Sequence, residues 1–226
     1  MKRVRWFAAE WPVALRTLAT KMKSNAFTEE SLNGFIIERV RDTFINGRFI
    51  EKIAFQETLT TPFGEEQVID RVLYRQLEFN LFSTYPHIEL WDAPRSTQGF
   101  VTRLMELGNF AVTLVPLSVD LLSWLSRFQE LAQGKVIVDS LQISGLELEK
   151  GIHARIQMNG EGDVRGALSR ITKGKSFELD NVHLKLVTAN DIIPIYLGST
   201  GGVKLHDSYT EELLPILRRS IPESLE

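Results

Sequence analysis

Alternating apolar and polar residues in the middle of the chain predict a long β-hairpin. Residues 49–59 and 67–82 are rich in β-branched and aromatic side chains, and turn-forming residues occupy positions 61–64 between them. The second segment also carries apolar residues at helical spacing over 68–77, so a helix is the alternative there. Strict alternation over 77–81 favours a strand, and we therefore predict the hairpin.

The segment before this hairpin has the spacing of a helix. Apolar residues recur every four positions within residues 28–44, acidic residues lie near its start, and Asn46-Gly47 follows it. Asn-Gly also favours tight hairpin turns, so a strand is the alternative. A hairpin turning at Asn46-Gly47 would create two like-charge cross-strand pairs, among them Asp42 opposite Glu51. We therefore predict a helix over residues 28–44.

The rest of the pattern predicts helices and strands in an irregular order. Further helices are predicted after Pro12 and at residues 97–107, 118–131, 163–171 and 210–219. Further strands are predicted at residues 87–91, 110–115, 136–143, 152–158, 177–187 and 192–197, and the glycine-rich segment 198–204 is expected to be a turn. Consecutive strands joined by short turns favour antiparallel pairing. The predicted fold class is therefore α+β, with mainly antiparallel sheet and helices packed on one face.

One boundary divides the predicted elements into two subdomains. The turn at residues 94–97 separates a helix pair and β-meander in residues 1–95 from an α+β subdomain in residues 96–226. A single continuous domain is the alternative, since a chain of this length suits either arrangement.

Composition places the chain among ordinary globular proteins. Of its 226 residues, 43% are apolar and 24% are charged, which excludes disordered, collagen-like and coiled-coil classes. The absence of cysteine excludes structural disulfides, thiolate zinc sites and cysteine nucleophiles. No uncharged apolar run is long enough for a membrane span, and the first 25 residues lack the apolar core of a signal peptide. We therefore expect a cytoplasmic protein without a membrane span.

Basic side chains are concentrated at the start of the chain, although the net charge is −3. Residues 1–25 mix six basic residues and one acidic residue with aromatic side chains, a combination that can bind phosphates and stack bases. The candidate contacts with nucleic acid or a partner are Lys2, Arg3, Arg5, Arg16 and Lys23. The favoured interpretation is a core helix after Pro12, whose apolar stripe is Trp11, Leu15, Leu18 and Met22 and whose basic face is solvated.

A second group of candidates lies on two C-terminal strands. Alternation places His153 and Arg155 on one face of the first strand, and His183 and Lys185 on one face of the second. If the two strands are neighbours, these four side chains form a cationic patch that can bind phosphate or an acidic ligand. The favoured interpretation is a solvated outer face of an antiparallel sheet.

Motifs for metal, cofactor or nucleophilic chemistry are not evident in the spacing. In the hairpin, Glu57 can lie beside Asp70, which would pair two carboxylates, or beside Arg71, which would form an ordinary surface ion pair. The ion pair is favoured because like charges opposite each other are destabilising. No two histidines have the spacing of a zinc-binding helix. We predict neither a metal site nor a cofactor.

These observations favour a non-catalytic binding or assembly subunit of a cytoplasmic multi-component system. We expect it to act through contacts with a protein partner or as a homo-oligomer. The alternative is a nucleic-acid-binding protein that uses the basic patches. An enzyme whose site is assembled from residues distant in sequence is the third and least favoured hypothesis.

Overall fold

The computed structural model describes residues 1–223, which form five α-helices and eleven mainly antiparallel strands. The helices are Leu15–Ser24 (α1), Gln98–Leu107 (α2), Leu121–Leu131 (α3), Arg165–Thr172 (α4) and Thr210–Ser220 (α5). The strands are Lys2–Glu10 (β1), Asn33–Arg41 (β2), Phe44–Thr60 (β3), Glu66–Phe82 (β4), Ile88–Trp91 (β5), Thr113–Pro116 (β6), Lys135–Glu149 (β7), Ile152–Asn159 (β8), Glu178–Val187 (β9), Ile192–Gly198 (β10) and Gly202–Leu205 (β11). The α+β class is as predicted. None of the described helices is long and apolar enough to cross a membrane.

The chain divides into two compact units. Unit 1 comprises Met1–Ala8 and the chain from Val115 onward, and unit 2 is Ala9–Leu114. The boundary predicted at residue 95 falls inside unit 2. Unit 1 therefore uses both ends of the chain, because β1 pairs with β11.

Unit 1 contains an antiparallel sheet with the strand order β1, β11, β10, β9, β7, β8. Alternate side chains of β9 and β10 are fully buried, and α3 and α5 contribute buried apolar residues of the same core. The indole of Trp124 packs edge-on against Trp6, with ring centroids 6.1 Å apart. Its Nε1 donates hydrogen bonds to the Leu217 carbonyl at 3.1 Å and to Ser220 Oγ at 2.9 Å, which ties α3 to α5.

Unit 2 contains an antiparallel sheet with the strand order β2, β3, β4, β5. Its core is aromatic: Phe100 of α2 packs against Phe35, Phe49 and Phe79 of the sheet, with ring centroids between 5.1 and 6.4 Å apart. Helix α1 buries Leu15, Leu18 and Met22, as its apolar spacing predicts. Trp11 of the same predicted stripe lies before the helix, where its Nε1 donates to the Phe82 carbonyl at 2.8 Å.

The helix predicted over residues 28–44 is wrong. This segment contains β2, which forms a hairpin with β3 and turns at Asp42 and Thr43. The like-charge pairs expected for a hairpin do not form, because the turn precedes Asn46-Gly47. Arg41 then faces Phe44, and Glu51 faces Asn33 rather than Asp42.

Three other segments differ from the prediction. Strand β1 was not foreseen, and part of the glycine-rich segment expected to be a turn is β11. The buried strand predicted over residues 110–115 is the short, largely exposed β6. By contrast, β3 and β4 form the predicted long hairpin with its turn after Thr60, and residues 67–77 are strand rather than helix.

Candidate functional site

Six side chains from six strands form one lateral row on the outer face of the unit 1 sheet. Each is the direct cross-strand partner of the next, and none is buried. In order across the sheet they are Arg3, Lys204, Tyr196, His183, Ser140 and Asn159. The row joins residues from the start, middle and end of unit 1, so its members are not recognisable as a set in the sequence.

The four residues of the predicted cationic patch do not meet as one group. His183 and Lys185 lie on β9, while His153 and Arg155 lie on β8, and β7 runs between the two strands. The predicted alternation is present, since the residues between them on β9 are buried. Strand order, which the local pattern does not contain, separates the two pairs.

Asp139 of β7 contacts both candidates on β9. A bulge in the pairing of β7 with β9 lies at this residue. Its Oδ1 contacts His183 Nδ1 at 2.6 Å, and its Oδ2 accepts from Lys185 Nζ at 2.8 Å. Burial favours a higher pKa for Asp139, whose side chain is 12% exposed, but the bonds from Lys185 and His183 together hold the pKa below its usual value. The arrangement is a closed charge pair rather than an open cationic surface.

Asp180 plays the same part beside Arg155. It accepts hydrogen bonds from Ser144 Oγ at 2.6 Å and from Gln142 Nε2 at 2.8 Å, and Arg155 Nε lies 3.7 Å away. The Ser144 hydroxyl is the largest cause of the lowered pKa of Asp180. Arg155 therefore faces an anchored carboxylate, and its own side chain is largely exposed.

The basic residues near the start of the chain lie on two elements. Arg3 and Arg5 project from the outer face of β1, while Lys2 is at the start of that strand. Arg16 and Lys23 lie on α1 in unit 2, where Arg16 forms an exposed ion pair with Asp42. The predicted set is thus divided between the two units.

Three residues outside the predicted set join Arg3 and Arg5. Lys204 of β11 lies directly opposite Arg3, and its Nζ is 4.8 Å from the centre of the Tyr196 ring. The Arg5 guanidinium lies 5.0 Å from the centre of the Phe7 ring. We call Arg3, Arg5, Phe7, Tyr196 and Lys204 the cationic cluster. The signal for Lys204 was its alternation with Val203 and Leu205, which the turn interpretation of the glycine-rich segment concealed.

A second exposed feature lies in unit 2. It is the half of the long hairpin that contains the turn. Residues 53–60 of β3 and 66–73 of β4 pair with each other, whereas β2 pairs with β3 only as far as Glu51 and β5 begins its pairing with β4 at Glu78. We call residues 53–73, with the turn at 61–65, the arm. The described residues supply no further strand beside it.

Large apolar side chains are exposed along the arm. Phe63 at its tip is 93% exposed, and the others are Phe55, Leu59, Val68, Val72 and Leu73. The predicted ion pair between Glu57 and Arg71 is present, although Ile69 is the residue directly opposite Glu57. The charged pair therefore lies within an otherwise mainly apolar surface.

Unit 2 also contains a polar concavity of about 430 Å³ on its sheet. Asn80 and Trp91, which line it, donate hydrogen bonds of 2.6 and 2.8 Å to Glu89 Oε1. Glu89 is only 4% exposed, so both side chains are anchored to a buried carboxylate. No group of three His, Asp or Glu side chains suited to a metal ion occurs within residues 1–223.

No protein-family model matches the chain, and no curated protein matches it significantly.

Proposed function

We propose that this protein is a non-catalytic binding subunit of a cytoplasmic multi-component assembly, and that it docks a protein through the arm. The observation that carries the proposal is the set of six exposed large apolar side chains on a two-stranded ribbon. Three of them, Phe55, Leu59 and Leu73, lie on one face of the ribbon, and exposed apolar side chains grouped on one face are typical of interaction sites. A ribbon of two strands is also marginally stable by itself, so a bound partner stabilises it.

The outer face of unit 1 supports a non-catalytic role. Asp139 and His183 resemble an acid and base pair in type, but the second carboxylate oxygen of Asp139 is occupied by Lys185. Every charge in this group is satisfied within the sheet, which favours a structural function for it.

Site-specific photo-crosslinking tests the docking role. A photoreactive amino acid replaces Phe63 at the tip of the arm and, as the matched control, Ile192 of β10, which is 64% exposed in unit 1. We expect a discrete adduct from position 63 in cells and none from position 192. Adducts of equal yield from both positions, or none from position 63, would contradict the proposal.

Nucleic-acid binding is the second candidate function, and the cationic cluster favours it. Three cationic side chains lie beside two aromatic rings on one exposed sheet face, and this combination can bind phosphates and stack bases. The proposed site consists of Arg3, Arg5 and Lys204 rather than the four residues on β8 and β9.

Fluorescence anisotropy with a labelled single-stranded oligonucleotide tests this second function. Phosphate-driven affinity falls steeply between roughly 50 and 200 mM salt. We expect that fall in the natural protein and a weaker affinity after Lys204→Glu, with Lys150→Glu, in an exposed turn of unit 1, as the control. Binding that is indifferent to salt, or equally weakened by both substitutions, would rule out the cluster as the site.

A further inference from the structure

Alternation gives the arm two faces of different chemistry. One face presents four successive cross-strand pairs, which we call the arm face: Ile53 with Leu73, Phe55 with Arg71, Glu57 with Ile69, and Leu59 with Gln67. Three of its apolar side chains, Phe55, Leu59 and Leu73, are between 42 and 51% exposed. The occupant of this face must therefore offer apolar groups, together with charges that can join the ion pair between Glu57 and Arg71.

The arm face is complementary to itself when one copy is reversed. Reversal sets the first pair of residues against the fourth, so that Ile53 and Leu73 meet Leu59 and Gln67. It also sets the second pair against the third, so that the level of Arg71 meets the level of Glu57. A two-fold axis repeats each of these contacts, because residue i of one copy meets residue j of the other and the reverse.

We propose that the arm face packs against the arm face of a second copy of this chain, antiparallel and around a two-fold axis, to form a homodimer. This inference rests on the proposed docking role of the arm and names its partner. The two-fold axis passes midway between two neighbouring cross-strand pairs. One is Phe55 with Arg71, and the other is Glu57 with Ile69. Arg71 of each copy then gains the carboxylate of Glu57 of the second copy.

Charge selects the antiparallel arrangement over the parallel one. Parallel arm faces would set each level against the same level of the second copy, so the level of Arg71 would meet that of Arg71 and the level of Glu57 that of Glu57. Like charges at one level are unfavourable. Antiparallel arm faces set the level of Arg71 against the level of Glu57 instead.

Charge also selects the arm face over the opposite face. The opposite face carries Asp70 and Glu66 and no cation between residues 53 and 73, and Asp70 accepts a hydrogen bond of 3.0 Å from Gln56 Nε2. Its other residues are Ala54, Thr58, Thr60, Val68 and Val72. Two such faces in contact would remove both carboxylates from water with no cation on either face, which carries a desolvation cost. The arm face contains one charge of each sign and avoids this cost.

A charge exchange tests the inference. Glu57→Arg gives the arm face two cations, and Arg71→Glu gives it two carboxylates. We expect each variant alone to self-associate at least about tenfold more weakly than the natural protein, because like charges meet across the axis. Mixed in equal amounts, the two variants are complementary and should form a heterodimer. Sedimentation velocity measures the association of the 25.7 kDa chain, and native mass spectrometry resolves the mixture.

The control variant changes a charge on the opposite face. Asp70→Lys should leave the dimer intact, and Leu73→Asp should abolish it, while far-ultraviolet circular dichroism confirms that each variant is folded. A natural protein that stays monomeric at about 100 μM overturns the homodimer. A dimer that persists in both charge variants would also overturn the homodimer. A mixture of the two variants that yields no heterodimer would do the same.

These outcomes separate the inference from the docking role. A monomer whose Phe63 crosslinks to a different protein overturns the homodimer and supports the proposed function. A Phe63 crosslink at twice the chain mass, lost in Leu73→Asp, supports both.

Discussion

The arm and the outer face of unit 1 are both exposed β-structure, yet their side chains are used in opposite ways. On the outer face, Asp139 bonds His183 and Lys185, and Asp180 bonds Ser144 and Gln142, so polar groups are satisfied within the sheet. On the arm, large apolar side chains remain in water with one ion pair among them. The polar groups around Asp139 and Asp180 are satisfied by one another, whereas the apolar groups of the arm gain from a partner.

The difference follows from what covers the other face of each sheet region. In unit 1, the inner side chains of the sheet are buried beside α3 and α5, so the outer side chains need only remain solvated. The arm has no helix on either face among the described residues, and both its faces carry apolar groups. Its stability in isolation therefore depends on two strands alone.

The largest expected effect is the loss of the core beneath the outer face. Trp124→Ala removes a fully buried indole and its two hydrogen bonds, and we expect it to lower the free energy of unfolding by about 3–5 kcal/mol. Urea denaturation followed by circular dichroism measures the change. Phe63→Ala on the arm is the matched control, with an expected change below about 0.5 kcal/mol. Similar losses from both substitutions would contradict the contrast between the two regions.

The next effect concerns the charge group on the outer face. Asp139→Asn leaves Lys185 and His183 with a neutral partner, and we expect a loss of about 1–3 kcal/mol at neutral pH. The pKa of Asp139 is lowered in the folded protein, so the carboxylate stabilises the fold above the unfolded pKa. That contribution is lost as the pH falls below about 4 and through the folded pKa.

The pH dependence is the control for this prediction. The difference in stability between Asp139→Asn and the natural protein should shrink as the pH is lowered, since protonation removes the same charge. A difference that is constant from neutral to acidic pH would show that the substitution acts through packing alone.

The sequence predicted elements well where strict alternation decided between a strand and a helix. The β-branched and aromatic residues of β3 and β4 fit strands over two long segments, and the turn between them was placed correctly. Over β2, apolar residues matched a helical period as well as a strand, and the decision depended on an assumed turn at Asn46-Gly47. With the turn at Asp42 and Thr43, directly after Arg41, the like-charge pairs do not form, so an error in the position of the turn became an error of element type.

The candidate site was less predictable than the fold because it depends on strand order. His183 and Lys185 were identified by alternation, but their partner Asp139 lies 44 residues before His183 on a bulged strand. Lys204 and Arg3 come from opposite ends of the chain and are adjacent only because β11 pairs with β1. Long-range pairing of this kind leaves no local periodic signal.

A smaller effect tests the ion pair on the arm. Glu57→Gln keeps the shape of the side chain and removes its charge beside Arg71, and both side chains are more than a third exposed. We expect the free energy of unfolding of the monomeric protein to change by only about 0.2–1 kcal/mol, since exposed pairs are screened by water. Chemical denaturation at a concentration well below that of self-association measures it. A loss as large as that of Asp139→Asn would mean that the two charge groups are equivalent in stability.

The smallest effect is expected at Arg155, where a predicted site residue meets an already satisfied carboxylate. Asp180 keeps its bonds to Ser144 and Gln142 when Arg155 is removed, and the guanidinium lies 3.7 Å from it on a side chain that is 71% exposed. We therefore expect Arg155→Ala to leave the midpoint of urea denaturation unchanged and oligonucleotide affinity unaltered, whereas Lys204→Glu lowers that affinity if the cationic cluster binds phosphates. The reverse result, with affinity lost at Arg155 and kept at Lys204, would return the phosphate site to β8.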